Sequence, residues 1–267
     1  MNKTILLTGA TDGIGLETAK IFAKHGYKLL LHGRNLEKLK KVKQELLIIN
    51  NDLDVKLYLA DLSLIKNTIT LAHEILNSQE KIDVIINNAG VFVADDTMTQ
   101  EGLDIRFAVN TISPYILTKL LLPILSKNGR VINVSSAAQT NVDFNSIKNA
   151  TKLSHDVAYA QSKLAIIMWG MELAQDLGEN AVVVSINPKS FLDSKMVQVA
   201  YGRKGYDLAF GANILYKAAV SDEFADKTGK YYDNDYEEFA QPHSFALNKE
   251  NRINLINVMD DIIERIK

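Results

Sequence analysis

The chain has 267 residues, of which 47% are hydrophobic and 23% are charged, and its formal net charge is −2. This is the composition of a soluble globular protein, and the near-neutral charge excludes an electrostatic nucleic-acid binder, which needs a basic face. The sequence contains no cysteine, which excludes a disulfide framework, a thiolate nucleophile and a cysteine-ligated metal site.

Short apolar runs alternate with longer segments of helical period along most of the chain. The runs lack polar/apolar alternation, as expected for strands of a parallel sheet covered on both faces. The six strands are predicted at 3–9, 28–33, 55–60, 83–88, 129–136 and 181–187. The segments between them predict helices at 16–26, 36–49, 65–76, 102–125 and 156–178, and a helix (207–220), a short strand (229–238) and a final helix (248–266) follow.

This alternation predicts an α/β fold: a single doubly wound, Rossmann-type parallel sheet of about seven strands with helices on both faces. Gly26 and Gly178 stand where helix C-terminal caps are expected. No repeat, low-complexity tract or linker divides the chain, so residues 1–267 are expected to form one domain. Right-handed crossovers would bring the carboxyl ends of the strands to one edge, where ligands bind.

We expect the sequence to contain no targeting or membrane-spanning segment. The apolar part of the N-terminus is too short for a signal peptide, and the richest apolar stretch, YILTKLLLPIL, is interrupted by Lys119 and Pro123. We therefore expect a soluble, cytoplasmic protein without a membrane partner.

The first predicted strand runs into TGATDGIG (8–15), which places three glycines between a strand and a helix. Glycine lets the backbone turn tightly and approach a phosphate, and the helix N-terminus supplies N–H donors. The same residues would also make an ordinary strand-to-helix turn, but a position directly after the first strand favours dinucleotide binding.

A second motif lies in HDVAYAQSKLA (155–165), where Tyr159 precedes Lys163 by four residues. Residues at this spacing share one face of a helix, so the phenol and the ammonium are held near each other. Taken alone, the pair would also fit two surface residues.

Six motifs together resemble the short-chain dehydrogenase/reductase family, and they occur in the family's order. They are TGATDGIG at 8–15, DL at 61–62, NNAG at 87–90, Asn110, the serine pair at 135–136 and YAQSK at 159–163. FAVNTISPYILTKLLLP and GRVINVSSAAQ are most similar to retinol-dehydrogenase-like carbonyl reductases. The resemblance implies that residues 1–130 mainly bind the coenzyme, and that 131–267 carry the catalytic residues, the substrate loop and the C-terminal helices.

The resemblance implies hydride transfer between a nicotinamide and a carbonyl or alcohol carbon. Tyr159 would be the acid/base, and Lys163 would lower the pKa of the phenol by its charge and hold a ribose hydroxyl. Ser136 would donate to the developing oxyanion, with Ser135 as the competing choice and a purely structural serine pair as the alternative. Asn110 would position a water that relays protons to Lys163, or would be a buried asparagine satisfied by the backbone.

The resemblance also implies a coenzyme site along the strand ends. Asp61 would bond the adenine amino group and Leu62 would add a backbone contact, unless Asp61 is only a turn or helix N-terminal acid. NNAG would lie under the adenine ribose and also join strands. The implied coenzyme-binding residues are Gly9, Thr11, Asp12, Gly13, Ile14, Gly15, Arg34, Asp61, Leu62, Asn88, Ala89, Gly90, Tyr159, Lys163, Pro188 and Ser194.

The end of the second predicted strand, LLLHGRN, bears on the choice of coenzyme. NAD-using members carry an acid at this strand end, where Gly33 stands here, and Arg34 follows directly. A guanidinium suits a phosphate and the missing carboxylate removes repulsion, so NADP is predicted in preference to NAD. The alternative is a solvated Arg34 paired with Glu37.

The segment NPKSFLDSKM (187–196) departs from the family pattern of Pro-Gly followed by Thr. Lys189 stands in the glycine place, where it would face the coenzyme or the substrate, while Pro188 would direct the turn and Ser194 would replace the threonine. We expect a mobile lid at 189–206 that orders over the nicotinamide. Substrate specificity is expected to depend on the loops 91–101, 137–154 and 189–206.

The sequence therefore predicts an NADP(H)-dependent oxidoreductase that interconverts a carbonyl and an alcohol of a small molecule. The alternatives are an NAD-dependent alcohol dehydrogenase of the same fold and a non-catalytic dinucleotide-binding regulator. The five histidines show no ligand spacing, so no metal site is predicted. The helices 102–125 and 156–178 resemble those with which family members dimerise, which would give a homodimer or homotetramer.

Overall fold

The computed structural model of the protein describes residues 3–149 and 151–267, which leaves Ala150 of the predicted loop 137–154 outside the described residues. The described residues form one eight-stranded sheet of order β3-β2-β1-β4-β5-β6-β7-β8, in which only β8 is antiparallel to its neighbour. The strands are β1 (Thr4–Leu7), β2 (Lys28–Gly33), β3 (Val55–Leu59), β4 (Ile82–Asn87), β5 (Leu125–Val134), β6 (Ala181–Asn187), β7 (Lys230–Asp233) and β8 (Glu238–Ala240). The predicted doubly wound sheet is confirmed.

The extra strand comes from the segment that was expected to hold one short strand at 229–238. It is a hairpin of β7 and β8, in which Tyr232 pairs with Phe239. The ring of Phe224 packs against both of these aromatic rings, so burial of the cluster stabilises the hairpin at the sheet edge.

The helices agree with the predicted helical segments to within a few residues. They are α1 (Gly13–Lys24), α2 (Leu36–Ile49), α3 (Ile65–Ser78), α4 (Ile105–Phe107), α5 (Ser113–Leu121), α6 (Phe144–Asn149), α7 (His155–Leu177), α8 (Lys195–Tyr201), α9 (Leu208–Val220), α10 (Ser244–Leu247) and α11 (Lys249–Ile266). Three short helices, α6, α8 and α10, were not predicted. A π-helical turn, Ala108–Ile112, joins α4 to α5.

Local capping explains where several helices begin and end. Asp12 caps α1 by accepting from the Gly13 N–H, and Asn35 caps α2 by accepting from the Lys38 N–H at 2.9 Å. Gly26 and Gly178 follow the ends of α1 and α7 with φ of +73° and +53°, a conformation that favours glycine. Both predicted C-terminal glycines are thus confirmed.

Apolar cores lie on both faces of the sheet. The helices α1, α2 and α9 cover one face, and α3, α5, α7 and α11 cover the other. The helical stretch Ile105–Ile124 is long and apolar enough to span a membrane, but 72% of its most apolar window is buried inside the protein, which is typical of a core helix.

The C-terminal helix α11 covers part of the two long helices that were expected to mediate dimerisation. Arg252 of α11 pairs with Glu172 of α7, and the Tyr115 hydroxyl of α5 donates to Asp260 of α11 at 2.9 Å. A second copy would therefore meet α11 on this face. The oligomeric state stays a prediction.

Candidate active site

The sheet order reverses between β1 and β4, so the carboxyl ends of these strands open a crevice at the place where ligands bind in open α/β sheets. The glycine-rich turn lines it. Gly9 has φ of +67°, and a Cβ there would lie 2.8 Å from the Cα of Ala89. A Cβ on Gly15 would overlap the carbonyl oxygen of Gly9. Gly9 and Gly15 thus have no room for a side chain, so the backbone and the α1 N-terminus can approach a phosphate closely, which fits a dinucleotide.

Asn88 of the NNAG motif joins the ends of β4 and β1. Its side-chain amide donates to the carbonyl oxygens of Thr8 (2.8 Å) and Gly9 (3.1 Å). The Thr8 hydroxyl in turn accepts from the backbone N–H groups of Asn88 and Ala89. The expected strand-joining role of NNAG is present, and Thr8 is a supporting residue that the sequence reasoning missed, although it stands inside the TGATDGIG motif.

His32 is a second residue that the sequence reasoning missed, because it was interpreted as an ordinary histidine. It is buried at the end of β2, where Nδ1 faces the Gly9 N–H at 3.4 Å and Nε2 faces the carbonyl oxygen of Ala60 at 3.1 Å. Burial lowers the pKa of His32 to about 4, so the neutral ring accepts from Gly9 and donates to Ala60. His32 links the glycine-rich turn to the end of β3.

Gly33 stands at the end of β2 in place of the acid that NAD-using members carry, and a side chain there would require its neighbours to move. A Cβ on Gly33 would lie 2.8 Å from the Thr11 Cγ2 and 3.2 Å from the Leu39 Cδ2. Arg34 is exposed and has no hydrogen-bond or ion-pair partner within the described residues. Glu37, its expected alternative partner, pairs with Lys40 at 2.9 Å instead. The guanidinium is therefore free to meet a ligand.

Asp61 lies at the end of β3, where one carboxylate oxygen accepts from the Ser63 N–H at 2.9 Å. This is the turn role that stood as the alternative for this residue. The residue is exposed, and its Oδ2 makes no hydrogen bond within the described residues. Adenine recognition by Asp61 and Leu62 stays a prediction.

The two serines that follow β5 point to different partners. Ser135 is buried, and its hydroxyl donates to the Lys163 carbonyl oxygen at 2.7 Å, so it fastens the sheet to α7. The Ser136 hydroxyl accepts from the Ala138 N–H at 3.1 Å and lies near enough to the Tyr159 phenol to lower its pKa. Of the pair, Ser136 is the serine that shares the site with Tyr159.

Tyr159 and Lys163 both project from α7 toward the end of β5. The Lys163 Nζ lies 5.7 Å from the centroid of the Tyr159 ring and donates to the Val134 carbonyl oxygen at 2.8 Å. Burial raises the pKa of Tyr159 to about 12 and lowers the pKa of Lys163 to about 8. The Tyr159 pKa thus moves in the direction opposite to the one expected from the resemblance, because desolvation of the phenolate outweighs the lowering influence of the nearby Ser136 hydroxyl.

Asn110 lies in the π-helical turn and is fully buried. Its amide accepts from the Val91 N–H at 2.8 Å and donates to the Val91 carbonyl oxygen and to the Ser162 hydroxyl, each at 2.9 Å. The side chain therefore holds the segment after Gly90 against α7. This is the backbone-satisfied alternative, and the proton-relay role stays a prediction.

The segment after β6 folds over this crevice. A Cβ on Gly13 would lie 3.7 Å from the Cβ of Ser194, so the expected threonine substitute faces the phosphate turn. A Cβ on Gly90 would lie 3.6 Å from the Met196 Cε and 3.5 Å from the Lys163 Nζ. The Pro188 carbonyl oxygen accepts from the Asn234 amide at 2.9 Å, which fixes the turn that leads into this segment.

Aromatic rings line the side of the crevice next to Tyr159. The Phe92 ring lies 4.5 Å from the Tyr159 ring and 5.9 Å from the Tyr201 ring of α8. The specificity loops 91–101 and 189–206 thus meet at Tyr159. Within 3–149 and 151–267, no group of three or more His, Cys, Asp or Glu side chains is arranged to hold a metal ion.

Comparison with known proteins identifies the family. The family model for short chain dehydrogenases matches residues 3–203, which is most of the chain. The chain belongs to the short-chain dehydrogenase/reductase family. It is accordingly an NAD(P)-dependent oxidoreductase, and the predicted resemblance is confirmed.

Two human relatives of this short-chain dehydrogenase/reductase carry retinol dehydrogenase names. Retinol dehydrogenase 13 is 31% identical over 253 residues, which cover 86% of this chain and 76% of the relative. Retinol dehydrogenase 11 is 34% identical over 191 residues, which cover 70% of this chain and 60% of the relative.

Solved structures show the same architecture. A short-chain dehydrogenase from Escherichia coli CFT073 solved with NADPH is 27% identical, with a TM-score of 0.72 over 88% of this chain and 97% of that chain. A protein from Mycobacterium paratuberculosis is similar in fold, at 23% identity and a TM-score of 0.81 over 98% of this chain and 93% of that chain. A nicotinamide dinucleotide is thus the coenzyme class of this enzyme.

Proposed function

We propose that the protein is an NADP(H)-dependent carbonyl reductase in which Tyr159 is the proton donor. The observation that carries the proposal is the convergence of Tyr159, Lys163 and Ser136 at the end of β5, where the Lys163 Nζ lies 5.7 Å from the Tyr159 ring centroid, at the same sheet edge as the glycine-rich turn. A protein that only binds a dinucleotide has no need of this polar trio.

The bound dinucleotide would supply the hydride, and hydride delivery to a carbonyl carbon creates an alkoxide that needs a proton. The pKa of Tyr159 is about 12, so the phenol is protonated at neutral pH and ready to donate. Ser136 donates a second hydrogen bond to the oxygen on which charge develops.

Lys163 assists the transfer through its charge. Its pKa of about 8 keeps most of the side chain cationic at neutral pH, and it lies 5.7 Å from the ring that becomes a phenolate. The cation stabilises that phenolate until a proton is returned from solvent. Its position beside Gly90 also supports a hydrogen bond to a ribose hydroxyl of the coenzyme.

Two features support NADP in preference to NAD. The end of β2 carries Gly33 in place of the ribose-binding acid, and a Cβ there would lie 2.8 Å from the Thr11 methyl group. The exposed, unpaired Arg34 offers a guanidinium to a 2′-phosphate. The NADPH-bound neighbour from Escherichia coli is consistent with this choice.

The substrate is proposed to be an aldehyde/alcohol pair, since the human relatives are named for an alcohol, retinol. The apolar rings of Phe92 and Tyr201 beside Tyr159 are consistent with a substrate that carries apolar groups near its carbonyl.

The test is turnover of the purified full chain with NADPH and a panel of aldehydes, in the wild type and in Tyr159→Phe. We expect kcat to fall by at least ~100-fold in Tyr159→Phe with NADPH affinity unchanged, because only the proton donor is lost. Tyr236→Phe, which alters a tyrosine that is 78% exposed in the β7–β8 turn, is the matched control. Retention of most of the activity in Tyr159→Phe would refute the mechanism.

A further inference from the structure

Lys189 occupies a backbone conformation that favours glycine. Its φ is +121°, and Phe191 two residues later has φ of +53°. A non-glycine residue in this region is strained and persists only when its surroundings hold it. A lysine in the family's glycine place therefore needs a compensating interaction.

The Lys189 side chain faces neither the phosphate turn nor Tyr159. Its Nζ lies 5.3 Å from the ring centroid of Tyr206 and 5.3 Å from that of Phe210, both within the range of a cation–π contact. Tyr206 is the last residue of the lid, and Phe210 lies in the first turn of α9. The side chain thus spans from the first residue of the lid to its end.

Backbone hydrogen bonds join the same two ends of the lid. The Tyr206 N–H donates to the Phe191 carbonyl oxygen at 2.8 Å, and the Asp193 N–H donates to the Tyr206 carbonyl oxygen at 2.7 Å. Gly205 packs so tightly against this strand-like pair that a Cβ there would overlap the Phe191 carbonyl oxygen. We call residues 189–193 and 205–210 the lid neck.

A carboxylate anchors the start of the lid neck to the sheet. Asp235, just after β7, accepts from the Ser190 N–H at 2.9 Å, from the Ser190 hydroxyl and from the Asn187 amide. Burial raises the pKa of Asp235, but these hydrogen bonds and the Lys189 charge together hold it below its usual value. Asp235 is therefore ionised at neutral pH and attracts the Lys189 ammonium.

The lid neck also packs at α9, next to α1, the helix that follows the glycine-rich turn. A Cβ on Gly211 of α9 would lie 2.7 Å from the Leu192 Cδ1 and 3.1 Å from the Ile14 Cγ2. Leu192 of the lid neck therefore packs against α9, and Ser194 and Met196, which follow it in the chain, cover Gly13 and Gly90.

We propose that Lys189 is a positioning residue that holds the two halves of the lid neck together through its contacts with Tyr206 and Phe210, and so fixes the lid over the coenzyme crevice. These contacts slow opening of the lid and strengthen coenzyme binding without touching the reacting atoms. The inference rests on the proposed function for its kinetic readout alone, because closure of the lid is measurable without turnover.

The test compares Lys189→Met with wild type by hydrogen exchange of residues 190–206 in the coenzyme-free chain, by NADPH titration and by steady-state kinetics. We expect the hydrogen-exchange rate of the lid, the Kd for NADPH and the KM for NADPH each to rise about five- to tenfold, which corresponds to about 1–1.4 kcal/mol. We expect kcat to stay within twofold of wild type. Lys189→Arg keeps the cation and should restore wild-type values. Lys204→Met removes a lid lysine that contacts no ring within the described residues and should change nothing.

Lys189→Gly is a second variant, which removes the backbone strain along with the cation and so guards against misfolding. It should open the lid as Lys189→Met does, and Phe210→Leu added to Lys189→Met should have no further effect. Unchanged lid exchange and unchanged NADPH affinity in Lys189→Met would overturn the proposal, as would a fall in kcat with KM unaltered. Failure of the proposed function is distinguishable, since it would abolish Tyr159-dependent turnover and leave the exchange result as it is.

Discussion

The two walls of the coenzyme crevice are held together by different forces. The wall formed by Thr8, Gly9, His32 and Asn88 is a network of partly buried hydrogen bonds to backbone groups. The lid wall depends on strained backbone and on rings that are about half exposed, 56% for Tyr206 and 48% for Phe210. Buried backbone networks open rarely, whereas segments with few buried contacts open at low free-energy cost. We call the first of these the sheet wall and expect it to hold the coenzyme rigidly, whereas we expect the lid wall to move.

The largest expected effect contrasts one glycine from each wall. Gly9→Ala should weaken NADPH binding by at least ~100-fold and lower the free energy of unfolding by about 2–4 kcal/mol, because the new Cβ meets the Ala89 Cα at 2.8 Å in a positive-φ conformation. The measurements are NADPH titration and urea unfolding.

Gly202→Ala in the lid is the matched control for this glycine. Its φ is +62°, close to that of Gly9, but a Cβ there meets nothing within 4 Å. We expect a loss of only about 1–2 kcal/mol from the left-handed conformation, with NADPH affinity nearly unchanged. Equal losses in the two variants would contradict the contrast between the walls.

The second effect concerns the pH dependence of the sheet wall. The pKa of His32 falls from 6.5 to about 4 on folding, so the unfolded chain binds a proton that the folded chain does not. The contribution of neutral His32 to the free energy of unfolding is therefore fully present above pH 6.5, and up to about 3 kcal/mol of it is lost as the pH falls toward 4. His32→Asn should lose this dependence, measured as urea unfolding between pH 7.5 and 4.

The raised pKa of buried Asp104 acts in the opposite direction, so the comparison is made between wild type and variant at each pH. Unfolding free energies of wild type and His32→Asn that run parallel from pH 7.5 to 4 would show that His32 does not couple the glycine-rich turn to pH.

The smallest expected effect concerns Arg34, an exposed side chain beside the sheet wall that has no hydrogen-bond or ion-pair partner within the described residues. Loss of a charge-assisted contact in Arg34→Ala should cost roughly 1.5–3 kcal/mol, or about a 10- to 150-fold drop in NADPH affinity, with NADH binding unchanged. The measurement is kcat/KM for both coenzymes. Lys40→Ala, which removes a cation already paired with Glu37, is the control. A wild-type enzyme that prefers NADH would refute the assignment.

Gly33→Asp is not a clean companion to that experiment. The Cβ would press on the Thr11 methyl group and on Leu39, so the variant would disturb the glycine-rich turn as well as the ribose site. Any loss of NADPH binding would then mix repulsion of the phosphate with a displaced backbone.

Much of the sheet wall was predictable from the sequence because its signals are local. A run such as KLLLHG is a buried parallel strand wherever it lies, and glycines between a strand and a helix restrict the turn that follows. The helix period alone places Tyr159 and Lys163 on one face of α7. These features need only neighbours along the chain.

The tertiary structure decided what depends on distant segments. Only the folded chain shows that Ser135 bonds the α7 backbone while Ser136 lies beside the Tyr159 phenol. His32 likewise gains its role from Gly9 and Ala60, which follow other strands. The direction of the Tyr159 pKa shift depends on how completely the surrounding protein excludes water. The direction in which the Lys189 side chain points depends on the rings of Tyr206 and of Phe210 in α9. Burial and long-range contact are properties of the folded chain, so spacing alone does not determine them.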